Sequence, residues 1–215
     1  MSDKDVTKLT PAQKKRFEKY SALRQELIEK GFEEKKFIIS ALKANLMVFV
    51  TSVPIVVVFW IIYAVLHGSG RLNRPLIFAL VLVSIIIHEL IHGITWSLFT
   101  EKGWDSISFG VIWKYLTPYC TCDEYLPYGA YFLGGIAPTI ILGFIPYIIA
   151  LFTGNYTLLF ISLFNILVGG GDIYIVYLIR KCKDAIFIDH PYLVGCVAFK
   201  KESEGLGEKG GGVRG

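Results

Sequence analysis

Four long runs of apolar residues dominate the chain and set its predicted architecture. Each run is long enough to cross the hydrocarbon core of a bilayer, which takes about 20 helical residues. Backbone groups inside a bilayer must pair within their own segment, so each run is predicted to be an α-helix. Pro54, Pro138 and Pro146 fall inside these runs and are expected to kink the helices. The runs cover residues 45–66, 76–99, 131–152 and 158–179.

A further helix is predicted near the N-terminus, outside the apolar runs. Residues 10–31 begin with Thr10 as a potential N-cap and with Pro11 at the first helical position. Apolar residues follow at near-helical spacing, and Gly31 is expected to end the helix. We expect this amphipathic helix to be solvated and to lie at the membrane surface.

Between the second and third runs the periodicity changes from helical to extended. Apolar residues alternate with polar ones along residues 104–113, which predicts a strand that pairs with residues 117–122 in a hairpin. The hairpin could present an edge to an extended substrate, or it could serve only as a cover that rests on the membrane. The pattern leaves both roles open.

The predicted fold is therefore an all-α integral membrane protein of about four transmembrane helices. It carries an N-terminal amphipathic helix and a small cytoplasmic β-hairpin between transmembrane helices two and three. Four segments follow from this organisation. They are a basic amphipathic N-terminal segment (1–43), a transmembrane domain (44–180), a C-terminal cytoplasmic segment (181–202) and a glycine-rich disordered tail (203–215).

The composition supports a membrane protein and excludes other classes. Of 215 residues, 53% are hydrophobic and 19% are charged, and the mean hydropathy is +0.53. A soluble domain usually carries about 25% charged residues, and a disordered chain carries far fewer apolar ones. The net charge of +4 does not indicate nucleic-acid binding, because 11 of the 22 Lys and Arg lie in residues 1–43 and seven more in 180–215. Basic residues beside the spans predict that both termini are cytoplasmic.

The second apolar run contains the motif His88-Glu89-Leu90-Ile91-His92. On a helix, residues four apart lie on one face, so both imidazoles can reach one metal ion. Zinc lowers the pKa of a bound water towards neutrality, and Glu89 is placed to take a proton from that water. The motif therefore predicts a zinc hydrolase in which His88 and His92 bind the metal and Glu89 is the general base.

Asp172 is the predicted third ligand. Ionisable residues inside a bilayer are costly unless they face a partner or a polar cavity, and the four runs contain only two histidines and two carboxylates. His92 and Asp172 each lie seven residues before the end of their runs. At 1.5 Å per residue this is a depth of about 10 Å, so the two side chains can meet at one level. Three protein ligands with an open position are typical of catalytic zinc, so one Zn²⁺ per chain is expected.

Two neighbours of Asp172 allow more than one interpretation. Asn165 lies seven residues earlier on the same helical face, and its amide could bind substrate or donate to a neighbouring helix. The glycines at 169–171 could allow close helix packing, or they could unwind a turn that aims Asp172 at the metal.

The remaining histidines and the cysteines are expected to be structural. His190 is interpreted as a hydrogen-bonded turn residue and His67 as a residue of an interfacial loop. The cysteines fall on the predicted cytoplasmic side, where thiols stay reduced, and their spacing does not favour a second metal site. They are Cys120, Cys122, Cys182 and Cys196.

These residues resemble those of a known class of membrane enzyme. A His-Glu-x-x-His in one span and an aspartate beside a glycine run in a later span resemble the site-2 type of intramembrane zinc metalloprotease. More closely, the chain resembles a zincin peptidase family of small bacterial and archaeal membrane proteins, over roughly residues 30–200. The matching stretches are residues 88–92, residues 118–122, Gly170-Gly171-Asp172 and Asp189-His190-Pro191.

The resemblance implies a role for each site residue. His88, His92 and Asp172 would be the zinc ligands, Glu89 would be the general base, and the protein would lie in the cell membrane of a prokaryote. One feature departs from the site-2 pattern, in which the aspartate precedes a glycine, because Ile173 follows Asp172 in this chain.

The leading hypothesis is an integral-membrane zinc metallopeptidase that cleaves peptide bonds in or near the bilayer. Its expected partners are the lipid bilayer and a membrane-protein or peptide substrate, without nucleic acid. A divalent-metal transporter or sensor is the main alternative, although transporters commonly show internal repeats and ionisable groups on several helices. A buried polar cluster that only joins two helices, and a catalytically silent scaffold, are the other two.

Overall fold

The computed structural model describes residues 11–113, 117–191 and 193–201. Within these residues the helices are α1 (Pro11–Glu29), α2 (Ala41–His67), α3 (Arg74–Ser97), α4 (Tyr128–Pro138), α5 (Ile145–Thr153), α6 (Tyr156–Val168) and α7 (Gly170–Ile179). The strands are β1 (Phe32–Ile39), β2 (Ile107–Ile112), β3 (Thr117–Cys122), β4 (Leu126–Pro127), β5 (Ile186–Asp189) and β6 (Val194–Lys201). The predicted N-cap Thr10 and the predicted tail at 203–215 lie outside the described residues.

Three helical stretches are long and apolar enough to cross a membrane, at the positions of the first three predicted runs. They are Leu46–His67 in α2, Arg74–Ser97 in α3, and Tyr128–Thr153, which joins α4 to α5. A wider π-helical turn begins directly after Pro138, where the sequence predicts a distortion. The fourth run is divided between α6 and α7, which meet at an angle of 42° and pass the same test only as a pair.

The outward faces of these helices are apolar and exposed. Examples are Phe49 and Trp60 on α2, Phe78 and Ile86 on α3, and Phe152 on α5. Soluble monomers rarely expose apolar patches of this extent, because water does not stabilise them. The surface is therefore matched to a hydrocarbon environment.

The prediction of an all-α fold is wrong, because the chain also forms a four-stranded antiparallel sheet in the order β1-β6-β5-β4. Strand β1 pairs with β6 from Phe32 opposite Lys201 to Ile39 opposite Val194. Charges at residues 33–36 hide the strand pattern of β1, and β6 buries four consecutive residues at 196–199 instead of alternating ones. The N-terminal and C-terminal segments, which the sequence separates, thus share one sheet.

Helix α1 packs on this sheet. Tyr20 and Leu27 of α1 are buried, and the helix ends at Glu29 before Gly31, whose positive φ of 79° turns the chain into β1 as predicted. The two side chains belong to a cluster with three buried residues of β5 and β6, Ile188, Val197 and Phe199. The expectation of a helix that lies on the membrane surface is wrong for these side chains, because protein covers them.

The predicted hairpin is present and lies on α3. Strands β2 and β3 pair antiparallel, from Ile107 opposite Cys122 to Ile112 opposite Thr117. A Cβ atom at Gly93 of α3 would stand 2.8 Å from the Phe109 ring and 3.0 Å from the Ile107 side chain. The glycine therefore permits the close approach of the hairpin to the helix.

The connections between the helices gather at two ends of the bundle. The sheet, with strands from both terminal segments and from the 100–130 loop, lies at one end. At the other end the Tyr63 hydroxyl donates to the Gly154 carbonyl at 2.6 Å, and His67 Nε2 lies 2.8 Å from the Leu151 carbonyl. The described parts of both termini thus share one end, and the cytoplasmic location of that end stays a prediction.

Candidate metal centre

The two histidines of the motif lie on the buried face of α3. Buried residues recur at four-residue intervals along this face, at Ser84, His88, His92 and Trp96. His88 is 2% exposed and His92 is 4% exposed, whereas Ile87, between two turns of this stripe, faces outward. The spacing of the motif therefore follows the stripe of an amphipathic helix, which turns both imidazoles into the protein.

Asp172 lies in the first turn of α7, directly after the break in the bent helix pair. The glycines before it allow α7 to approach α2 closely. The Thr51 hydroxyl donates to the Gly170 carbonyl at 3.0 Å, and a Cβ atom at Gly170 would stand only 2.9 Å from the Val48 carbonyl oxygen. Both interpretations of the glycine run therefore hold together, since the run forms a tight helix contact and also allows the turn that carries Asp172.

The prediction that Asp172 meets the two histidines at one depth is confirmed. Its Oδ2 atom lies 3.1 Å from His88 Nε2 and 3.5 Å from His92 Nε2. One candidate ligand atom from each residue lies within 4.8 Å of the other two. Across residues 11–113, 117–191 and 193–201, this is the one group of three such side chains that close together.

Hydrogen bonding determines which nitrogen of His92 is available. His92 Nδ1 donates to the Gly134 carbonyl at 2.7 Å, and this tautomer leaves the Nε2 lone pair facing Asp172. The His92 ring also stacks on Trp96, with 5.2 Å between ring centroids. His88 Nδ1 is buried and has no hydrogen-bond partner among the described residues, while its Nε2 faces Asp172.

The donor set fits zinc. Two imidazole nitrogens and one carboxylate oxygen are ligands that zinc takes in catalytic sites. The bond from His92 to Gly134 is the kind of outer contact that usually orients a zinc-bound imidazole. The three side chains could therefore hold one zinc ion.

A cavity of about 450 Å³ opens beside the three residues. Its walls come from α3, α7, the hairpin and the turn between β5 and β6, and most of the lining side chains are apolar. Polar side chains at its inner part are those of the metal group and of Glu89. Arg16, Asp189 and His190 line other parts of the same cavity.

Glu89 faces this cavity from α3. Its side chain is half-buried, and its carboxylate interacts with the backbone amide of Cys120 in β3. The structure thus places the predicted base on the cavity wall next to the predicted ligands, between α3 and the hairpin.

Strand β3 presents an edge to the cavity. The Cys122 N–H donates to Asp189 Oδ2 at 2.9 Å and not to β2. Outward-facing backbone groups recur at every second residue of an antiparallel strand, so Cys120 and Pro118 face the same way as Cys122. Residues 118–120 line the cavity, and β2 is the one strand that pairs with β3 in the described chain.

The structure does not bring Asn165 to the site. Asn165 is 1% exposed, and its amide Nδ2 donates to the Ile161 carbonyl of its own helix at 2.8 Å. It is not among the residues that line the cavity, because α6 is separated from the metal group by the bend before α7. The sequence interpretation that Asn165 donates to substrate is therefore corrected.

The other cysteines and histidines have structural surroundings. All four cysteines are free thiols, and Cys120, Cys122 and Cys196 belong to one buried cluster. Burial raises the pKa of the Cys122 thiol to about 12. His190 lies in the turn after β5, as predicted, and its Nδ1 accepts a hydrogen bond from the Leu193 N–H at 3.1 Å.

Sequence reasoning missed two groups around the metal residues. The Gly134 carbonyl gives no signal, because a backbone oxygen is present at every residue. Asp189 did stand in a matching stretch, Asp189-His190-Pro191, but no pattern related it to the motif on α3. In the structure Asp189 is buried and accepts hydrogen bonds from Tyr131 and Cys122.

Comparison with known proteins gives one match. The model of the family described as "Putative zincin peptidase" matches residues 81–187, a region that includes the motif on α3 and Asp172. No curated protein and no solved structure matches the chain.

Proposed function

Because the chain belongs to this zincin peptidase family over residues 81–187, we propose that it is an integral-membrane zinc metallopeptidase that hydrolyses peptide bonds in or near the bilayer. The observation that carries the proposal is the convergence of His88, His92 and Asp172 within 4.8 Å beside a cavity that also contains Glu89. Two imidazoles and a carboxylate would hold the metal, and a fourth position would stay open to the cavity.

Zinc held by these residues would supply a Lewis acid that polarises the scissile carbonyl and lowers the pKa of a coordinated water. Glu89 would accept the proton of the attacking water and return it to the leaving amine. The position of Glu89, next to the first ligand and facing the cavity, suits this task better than ligation. The Cys120 amide would hold the Glu89 carboxylate in place between the two proton transfers.

Strand β3 would bind the substrate in an extended conformation. Carbonyl groups on its outward edge could pair with the backbone of a peptide, and this pairing would carry the scissile bond past Glu89. An extended segment is needed, because the carbonyls of a helical substrate are already paired. The mainly apolar lining of the cavity would accept apolar side chains of a membrane-derived peptide.

The membrane part of the proposal rests on the three long apolar helices and on the exposed apolar surface around them. We place both termini and the hairpin in the cytoplasm of a prokaryotic cell, with the sheet at the cytoplasmic end of the bundle. Substrate would reach the metal residues through the cavity at that end, between the hairpin and the turn after β5.

Metal analysis of the purified protein tests the proposal. Wild-type protein should contain about one zinc per chain, and His88→Ala should contain none, because two of three ligands rarely retain catalytic zinc. His67→Ala is the matched control, since His67 lies at the opposite end of the bundle. Folded wild-type protein without any transition metal, or His88→Ala with a full zinc content, would contradict the proposal.

A further inference from the structure

Asp189 is a buried carboxylate that does not touch the metal residues. It is the last residue of β5 and is 8% exposed. Its Oδ1 accepts a hydrogen bond from the Tyr131 hydroxyl at 2.6 Å, and its Oδ2 accepts one from the Cys122 N–H at 2.9 Å. A buried carboxylate is tolerated only when its oxygens are paired in this way. Asp189 thus joins the sheet to α4 and to β3.

The bond to Cys122 leads to the general base. Cys122 and Cys120 are alternate residues of β3, so their amides face the same side of the strand. One amide is bound by Asp189, and the other interacts with the Glu89 carboxylate. The distance between β5 and β3 therefore sets where the Cys120 amide stands relative to Glu89.

The bond to Tyr131 leads to a metal residue. Tyr131 lies one helical turn before Gly134, whose carbonyl accepts the hydrogen bond from His92 Nδ1. The Tyr131 ring stacks on Trp96 with 5.6 Å between centroids, and Trp96 stacks in turn on His92. Trp96 Nε1 also donates to the Tyr131 carbonyl at 3.4 Å. A shift of Tyr131 would therefore be passed to the His92 ring through two routes.

We propose that Asp189 is a positioning residue of the peptidase site, which holds β3 and α4 in register so that Glu89 and His92 keep their orientations. This inference rests on the proposed function for its catalytic part. Loss of the carboxylate would leave the Cys122 amide and the Tyr131 hydroxyl unpaired in a buried place, and both elements would relax. Both the base and one metal residue would then lose their outer contacts.

The test compares Asp189→Ala and Asp189→Asn with wild type, and Asp184→Asn is the control because Asp184 is exposed in the same segment. Zinc affinity is measured by competition with a chelator, and kcat and KM with a membrane-anchored peptide. Asp189→Ala should weaken zinc binding and lower kcat by about 10–100-fold each, with KM changed less than threefold. Asp189→Asn should fall between it and wild type, because the amide oxygen can still accept one bond.

Hydrogen exchange of the metal-free protein gives a readout that needs no activity. The amides of residues 117–122 should exchange faster in Asp189→Ala than in wild type or in Asp184→Asn, since the Cys122 N–H has lost its acceptor. Where Asp189→Ala fails to fold, Tyr131→Phe removes only the bond to α4 and should weaken zinc binding by itself.

Two results separate this inference from the proposed function. Variants of Asp189 that melt at lower temperature, yet keep wild-type zinc affinity and kcat, would show a purely structural carboxylate and overturn the inference. Wild-type protein that cleaves no substrate, while Asp189→Ala still loses zinc affinity and protection of β3, would refute the peptidase and leave the positioning role in place.

Discussion

A methyl group added at Gly170 should destabilise the protein, whereas the same group added at Gly171 should not. A Cβ atom at Gly170 would stand 2.9 Å from the Val48 carbonyl oxygen and 2.8 Å from the Thr51 hydroxyl, closer than real Cβ atoms come. A Cβ atom at Gly171 would stand 3.7 Å from the Val48 side chain, an ordinary contact distance. Both glycines lie in the first turn of α7, so both variants gain similar helix propensity.

The difference between the two variants isolates the close contact between α2 and α7. Overpacking of a tight contact costs about 1–3 kcal/mol. One kcal/mol shifts the melting temperature of a chain of this size by about 2–4 °C, so Gly170→Ala should melt about 2–12 °C below Gly171→Ala. Relief of the contact moves α7, and Asp172 would lose its 3.1 Å distance to His88. Zinc affinity should therefore fall in Gly170→Ala and stay near wild type in Gly171→Ala.

Thermal unfolding of the two metal-free variants in detergent measures the first effect, and chelator competition measures the second. The same purification serves both variants and wild type, so expression and detergent are matched. Equal melting temperatures and equal zinc affinities in the two variants would refute the argument that the glycine run sets the position of Asp172.

Two further predictions concern pH and topology. Burial, with Lys36 and Arg16 nearby, lowers the pKa of His190 from 6.5 to about 4, so the unfolded chain binds more protons between these values. The free energy of unfolding should fall as the pH is lowered from 6.5 to 4, and a His190→Gln variant that keeps this slope would exclude His190 as its source. On intact cells an impermeant maleimide should label Ser69→Cys but not Lys183→Cys, and the reverse pattern would overturn the orientation.

The sequence predicts the long helices and the metal group because both depend on local spacing. Length and apolar character are enough to place α2 and α3, and the His-Glu-x-x-His spacing needs only the geometry of one helix. Asp172 could be found because charges are rare in such runs and its depth matches that of His92. The bend between α6 and α7 was visible only as a weak point at three glycines.

The sheet could not be predicted, because its pairing is not local. Phe32 lies opposite Lys201, and no residue pattern in either strand names the other. The apolar side of α1 fits a membrane surface and a sheet equally well, so Tyr20 and Leu27 gave no choice between them. For the same reason Asp189 could not be related to the motif on α3, because its two bonds cross to residues far away in the chain.

The central claim is that Glu89 moves a proton beside a metal held by three other residues. Glu89→Gln keeps the shape and the hydrogen-bonding capacity of the side chain but cannot take a proton at neutral pH. The variant should bind zinc as wild type does and should cleave a membrane-anchored peptide about 10²–10⁴-fold more slowly. Glu101→Gln, at an exposed residue of the same end, should cleave at the wild-type rate. Equal cleavage by wild type and Glu89→Gln, or zinc transport into liposomes by a wild type that cleaves nothing, would contradict the account.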